Sequence, residues 1–289
     1  MCGAIIINGY FYSSSVAYQC ESLKAEFSNK NTGIDVIKAN EILIYIENGN
    51  IKTNLKKYDF IIFLDKDVHL SSMLEKLGYK LFNSGKAIEI CDDKMKTHIF
   101  LSNQNIPMPV TVSSPLMYRE TDDDFLNTVT SKIAFPVVVK ECYGSMGGAV
   151  YLAEDMESLQ KIRKALRLKP HIYQEFISES RGADIRVILI GKKIIAAMKR
   201  RNSGDFRSNI ERGGRGEKIT LSGEYEELAV KVAELIGLDY CGVDILPGRN
   251  GPVLCEVNSN AFFRHMEEVT GVNVAGEYCE YVIKVIGYR

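Results

Sequence analysis

CGVDILP at 241–247 and PVLCEVN at 252–258 are two apolar runs joined by the turn Gly248–Gly251, and this pattern predicts an antiparallel hairpin. Side chains alternate across a strand. Glu256 and Asn258 therefore share one face, and Asp244 comes within a residue or two of lying opposite them. Val243, Ile245, Cys255 and Val257 are expected on the other, apolar face. Two carboxylates and an amide oxygen converging on one face suit a hard divalent cation, magnesium or manganese, held by a few protein oxygens together with substrate phosphates. The plainer reading is a solvated sheet face, since a sheet with one apolar side commonly has a polar one.

Working upstream, DIRVILIG at 184–191 and KIIAAMKR at 193–200 read as a second hairpin turning at Gly191-Lys192, preceded by the strand IYQEF at 172–176. The cations Arg186, Lys199, Arg200, Arg201, Arg207, Arg212 and Arg215 then crowd a glycine-containing stretch. A charge run is usually solvated, and a basic loop can contact nucleic acid. Phe206 is the one interleaved aromatic, so base stacking is poorly supported. Recognition of planar oxyanions by arginine fits better.

Further upstream, FPVVVK at 135–140 is a strand ending in Lys140, followed by the loop ECYGSMGGA and the strand VYLA at 150–153. Glycines let backbone amides approach phosphate oxygens, and a strand-end lysine reaches the same oxygens. Gly144, Ser145, Gly147 and Gly148 are the loop candidates. The loop matches neither the P-loop nor the dinucleotide fingerprint, and a plain hairpin is its ordinary explanation. Helices are expected over 155–167, 224–237 and 275–286, and one opens at Asp92-Asp93, stopping near Asn105 ahead of Pro107. Residues 1 to about 90 read as a small β-α-β unit, with AIII at 4–7 and FIIFL at 60–64 as buried strands and an Asn48-Gly49 hairpin.

The 289 residues, 46% apolar and 25% charged with a formal net charge of -1, give no global field toward nucleic acid or membrane. Phosphate binding has to be local. Seven scattered cysteines without a C-x-x-C pair read as reduced thiols, and the start MCGAIIING lacks a basic n-region, so the protein is expected in the cytoplasm. Met1-Cys2-Gly3 resembles the start of glutamine amidotransferases with a terminal cysteine nucleophile, but the residues after it fit a buried strand. The four histidines have no metal spacing.

Taken in order, Asp93-Lys94 before a helix ending at Ile106-Pro107, FPVVVK with its glycine loop, YQEF, GADIRVILIG, KRRNSGDFRSNIERGG, CGVDIL and CEVNSNAFF resemble the RimK-like ATP-grasp carboxylate-amine ligases over about residues 90 to 275. The resemblance implies an α/β (α+β) chain with the ATP-grasp fold: a Rossmann-like α/β domain over 1–91, a lid lobe over 92–169, and a lobe over 170–289 that carries the metal site, the two lobes clamping ATP. It implies ATP and Mg2+ as cofactors, with Mn2+ as an alternative metal. It further makes Lys140 and Lys94 phosphate contacts, sets Glu175 and Phe176 against adenine and Asp184 near ribose, and brings Arg207, Ser208 and Asn209 to ATP. Asp244, Glu256 and Asn258 become metal ligands, and Arg186 and Arg201 steady the transferred phosphate or a substrate carboxylate.

The implied activity is ADP-forming ligation through an acyl phosphate. An amino acid such as glutamate or a small peptide would be donor or acceptor, or a protein C-terminal tail would serve in its place; a homo-oligomer is compatible with the pattern. The rival is a nucleotide-binding regulator without ligase activity. The family prototypes follow EVN with small residues and a proline, whereas this chain has Ser259–His265, close to where an acceptor should bind.

Overall fold

The computed structural model describes residues 1–118, 124–144 and 148–287. The chain opens with β1 (Cys2–Ile7), α1 (Ser14–Asn29), β2 (Gly33–Lys38), the hairpin β3 (Ile44–Glu47) and β4 (Asn50–Thr53), β5 (Phe60–Leu64), α2 (Val68–Lys76), β6 (Leu81–Phe82) and α3 (Gly85–Asp92). A parallel sheet of order β2-β1-β5-β6 forms here. Its two central strands are apolar throughout because both faces are covered: Ile5 and Ile7 pack with α1, while Ala4 and Ile6 pack with Leu70 and Leu74 of α2. The Asn48-Gly49 turn has positive φ at both residues, 51° and 76°, the conformation that a two-residue hairpin of this hand requires.

The middle of the chain holds α4 (Lys94–Leu101), β7 (Thr111–Ser113), α5 (Phe125–Lys132), β8 (Val137–Glu141), β9 (Val150–Ala153), α6 (Met156–Leu166) and β10 (His171–Glu175), with an antiparallel sheet of order β7-β10-β8-β9. Asp93 caps α4 as expected, its Oδ1 accepting from the Met95 and Lys96 N–H groups. The helix ends at Leu101, short of Asn105, because Asn103 and Asn105 take left-handed φ of 61° and 53°. Val137 and Val139 face the helices α5 and α6. Val138 and Lys140 consequently face the other way.

The last sheet has order β13-β12-β11-β14-β15, from β11 (Ala183–Ile190), β12 (Lys193–Arg201), β13 (Arg215–Lys218), β14 (Tyr240–Gly248) and β15 (Gly251–Asn258), with α7 (Gly223–Ile236), α8 (Arg264–Thr270) and α9 (Val274–Gly287) packed on it. One face is apolar along its length, with Ile185, Val187, Leu189, Val243, Ile245 and Val257 under α7. The other face changes character along the strands. At one end Ile188, Ile190, Ala196, Met198 and Tyr240 share a core with α1, α8, α9 and the N-terminal sheet; beyond Arg186 it turns polar. Among the described residues no helix is long and apolar enough to cross a membrane.

Asn83 joins the N-terminal sheet to this last sheet. It is 2% exposed, its Nδ2 donates to the carbonyls of Tyr240 and Ser259 at 2.8 Å each, and its Oδ1 accepts from the N–H groups of Asp239 and Tyr240 at 2.7 and 3.0 Å. Each buried polar group left unpaired costs about 1–3 kcal/mol. Asn83→Leu keeps the branched shape but removes all four bonds, and it should lower unfolding stability by about 3 kcal/mol or more in a urea titration.

Candidate active site

Strand register builds the site. Asp184 and Arg186 point to one side of β11; Arg200 lies opposite Asp184, Asp244 opposite Arg186, and Glu256 opposite Asp244. Asn258 follows Glu256 two residues on, so six polar side chains from four adjacent strands share one face. Buried charges survive only when paired, and these pair closely. Arg186 donates from Nε and Nη2 to the two oxygens of Asp244 at 2.7 and 2.6 Å. Arg200 donates from Nε to Asp184 at 2.7 Å and lies 3.0 Å from Asp244 Oδ2. Burial alone would raise the Asp244 carboxyl, but the two guanidinium groups outweigh it and hold it below its ordinary range. The Arg200 guanidinium, whose charge burial opposes, is held charged by Asp244 and Asp184.

Arg201 does not join this group. Strand alternation turns it to the opposite face, where it is exposed, and the neighbouring Arg200, 2% exposed, supplies the inward guanidinium instead. Cys255 departs from expectation in the other direction. A bulge between Asp244 and Ile245 pairs Asp244 with Glu256 but Ile245 with Leu254, so Cys255 is an extra residue and joins the site face, with Lys140 Nζ 3.7 Å from its Sγ. Burial pushes the Cys255 thiol up, and Lys140 partly opposes this.

Two cavities open over this face. One, of about 110 Å³, lies between the two antiparallel sheets, with Val138, Lys140 and Gln174 on one wall and Asp184, Arg200, Asp244 and Glu256 on the other; Glu175, Phe176, Arg207, Ser208 and Asn209 line it too. The second, of about 290 Å³, lies toward the N-terminal sheet and includes Arg186 and Asn258. Glu256 and Asn209 line both. Lys94 is buried beside them, its Nζ donating to the Gly144 carbonyl at 3.1 Å and lying 3.8 Å from Glu256 Oε1. Arg207 is tied to Asp205 and donates to the Val150 carbonyl. Gly148 lines a shallow hollow with Arg207 and Arg212 rather than either cavity. Ser145 and Gly147 lie outside the described residues.

A scan against family models matches residues 91–282 to the RimK-like ATP-grasp domain. The chain belongs to the RimK-like ATP-grasp family. It is 39% identical over 213 residues to a probable alpha-L-glutamate ligase of Halorhodospira halophila, covering 72% of this chain and 68% of that protein. It is 34% identical over 281 residues to a probable alpha-L-glutamate ligase of Vibrio vulnificus, covering 92% of each. The fold is shared with the ATP-grasp ligase PsnB complexed with a minimal precursor, Mg and ADP, at TM-score 0.70 and 18% identity, covering 99% of this chain and 98% of that one. As a RimK-like ATP-grasp protein the chain is an ATP-dependent, ADP-forming carbon-nitrogen ligase, of a family that uses ATP and Mg2+.

In this RimK-like chain the charged face also sets stability. Removing one partner of a buried pair strands the other's charge and costs about 3–5 kcal/mol, whereas an exposed side chain away from such features changes stability by about 0.5 kcal/mol or less. Urea unfolding should therefore show Arg200→Met destabilised by about 3–5 kcal/mol and Arg201→Met close to wild type.

His98, on α4, receives an N–H from Gln174 at Nε2 across 2.9 Å, which requires that nitrogen to be unprotonated. Burial, and then Lys140, push its pKa down from 6.5 to about 4. The unfolded chain thus binds this proton more readily, and folding stability is lost as pH falls through 6.5 toward 4. Between pH 7 and 4.5 that loss amounts to ~2 kcal/mol. His98→Gln, which keeps an acceptor for Gln174, should remove that share of the pH dependence when unfolding free energies are compared at the two pH values.

Proposed function

We propose that the smaller cavity takes ATP and the larger one the molecule to be activated, and that Arg186, Arg200, Lys140 and Lys94 gather charge where the two meet. The observation that carries this reading is the sharing of Glu256 and Asn209 by both cavities. A γ-phosphoryl group and a carboxylate placed at that junction come within reach of each other, and positioning of this kind is the larger part of phosphoryl-transfer catalysis.

In this reading Glu175 and Phe176 flank the adenine, Asp184 and Arg200 hold the sugar end of the cavity, and Arg207, Ser208 and Asn209 reach the phosphates. Asp244, Glu256 and Asn258 would hold magnesium, and the residues fit it. All three offer hard oxygens from one face. The Asn258 Nδ2 is buried without a hydrogen-bond partner, which leaves Oδ1 as the end of the amide that faces the cavity. When bound, the ion supplies charge neutralisation at the terminal phosphates. Arg186 is already oriented by Asp244 and steadies the oxygens of the reacting carboxylate, and the sheet opposite Lys140 excludes water that would hydrolyse an acyl phosphate. The alpha-L-glutamate ligase names of the relatives support an amino acid, or a short peptide, as substrate; a protein tail is the less supported acceptor, given Ser259–His265.

With ATP, magnesium, a panel of amino acids and short peptides as carboxylates, and hydroxylamine as the amine, a hydroxamate should accumulate in step with ADP. Glu256→Gln should lower that rate about 100-fold. AMP and pyrophosphate as products would exclude an acyl phosphate.

A further inference from the structure

The larger cavity holds an unusual carboxylate. Asp65 follows β5 directly and is 7% exposed, yet its partners are all neutral: Asn8 Nδ2 donates at 3.2 Å to each oxygen, and the Lys66 N–H donates to Oδ1 at 2.7 Å. The Lys66 ammonium is turned to Asp92 at 2.7 Å, and among the described residues no cation pairs with Asp65. A buried, unpaired charge is costly. Beside it, Asn260 donates from Nδ2 to the Leu64 carbonyl at 2.7 Å, while its Oδ1 is buried without a donor. A carboxylate without a cationic partner and an amide oxygen without a donor thus sit at one strand end, and both residues line one cavity. The opposite wall carries Arg186, whose pair with Asp244 uses Nε and Nη2 and leaves Nη1 over. Phe11 and Phe262 supply apolar walls between these poles.

We infer that Asp65, oriented by Asn8 and aided by Asn260, binds the ammonium group of the carboxylate donor, and that this donor is a free α-amino acid. This rests on the ligase reading above. A divalent ion fits poorly at this end, since among the described residues lining the cavity the one other carboxylate, Glu256, belongs to the junction, and such ions need several hard ligands. The cavity makes the occupant the donor rather than the acceptor. A molecule whose ammonium sits at Asp65 turns its carboxylate toward Arg186 and the junction at Glu256, whereas an attacking amine would itself have to lie at that junction. Asn260 and Phe262 come from the segment after β15 that departs from the family prototypes. That segment is pressed into place where Gly242 lets Ala261 approach: a Cβ at 242 would lie 2.6 Å from that of Ala261.

The test compares each standard amino acid with its des-amino carboxylate as donor, with ATP, magnesium and hydroxylamine, reading hydroxamate and ADP. Wild type should show a KM at least tenfold lower for the amino acid than for its des-amino partner. Asp65→Asn should erase that preference by raising the KM for the amino acid, with the KM for ATP and the turnover of the des-amino compound unchanged. Equal use of the two compounds by wild type overturns the inference without needing any variant, as does a preference that survives Asp65→Asn. If wild type releases ADP with no carboxylate present and forms no hydroxamate when one is added, the ligase reading falls and this assignment falls with it.

Discussion

Charge buried on a sheet face has to be neutralised locally, and here that requirement ties three strands together. Asp184, Arg186, Arg200 and Asp244 sum to zero charge, and each guanidinium meets a carboxylate on a neighbouring strand. No member can turn away without stranding another. The chain can keep such a group out of water because the rest of the same face is apolar and shared with α1, α8 and α9. The packed end fixes strand twist and register; the charged end inherits that register as the geometry of a site.

The two halves of the site obey the same rule from opposite sides. β8 spends one face on its own helices, and the other carries Val138 and Lys140 toward the facing sheet. Two sheets that each hide one face under helices are left with polar-edged faces to turn toward each other, and a cavity lined by both follows. On the third side, the four hydrogen bonds of Asn83 hold the N-terminal sheet against the strands that carry Asp244 and Glu256. The larger cavity therefore has walls belonging to one continuous core.

What was legible in the sequence follows from how local each signal is. Alternation along CGVDILP and PVLCEVN was enough to group Asp244, Glu256 and Asn258, and the Asn48-Gly49 turn needed only its two residues. Lys199, Arg200 and Arg201 are three adjacent cations, and which of them faces inward depends on pairing with β11, which the run itself does not reveal. Asn8, Asp65 and Asn83 carry no local signal, because each acts on residues distant in the chain, Asp65 on a wall completed by Asn260 and Asn83 on Tyr240 and Ser259. The helices α3 and α8 are short, and their apolar residues are shared with neighbouring elements rather than set in a long stripe.

The bulge at Cys255 has a consequence for how this segment can vary. One extra residue in β15 shifts the parity of everything after Leu254 relative to β14. Loss of Cys255 itself would close the bulge and leave Glu256 opposite Asp244, with Val257 still in the apolar layer under α7; straightening the strand with all its residues kept would instead turn Glu256 and Asn258 into that layer. Side chains at 253 and 255 can be exchanged one for one with modest effect on this arrangement, and the strand can shorten at Cys255 without turning Glu256 or Asn258. In a lineage of such chains, a one-residue gap at this position should appear beside substitution, while the residues on either side of it keep their faces.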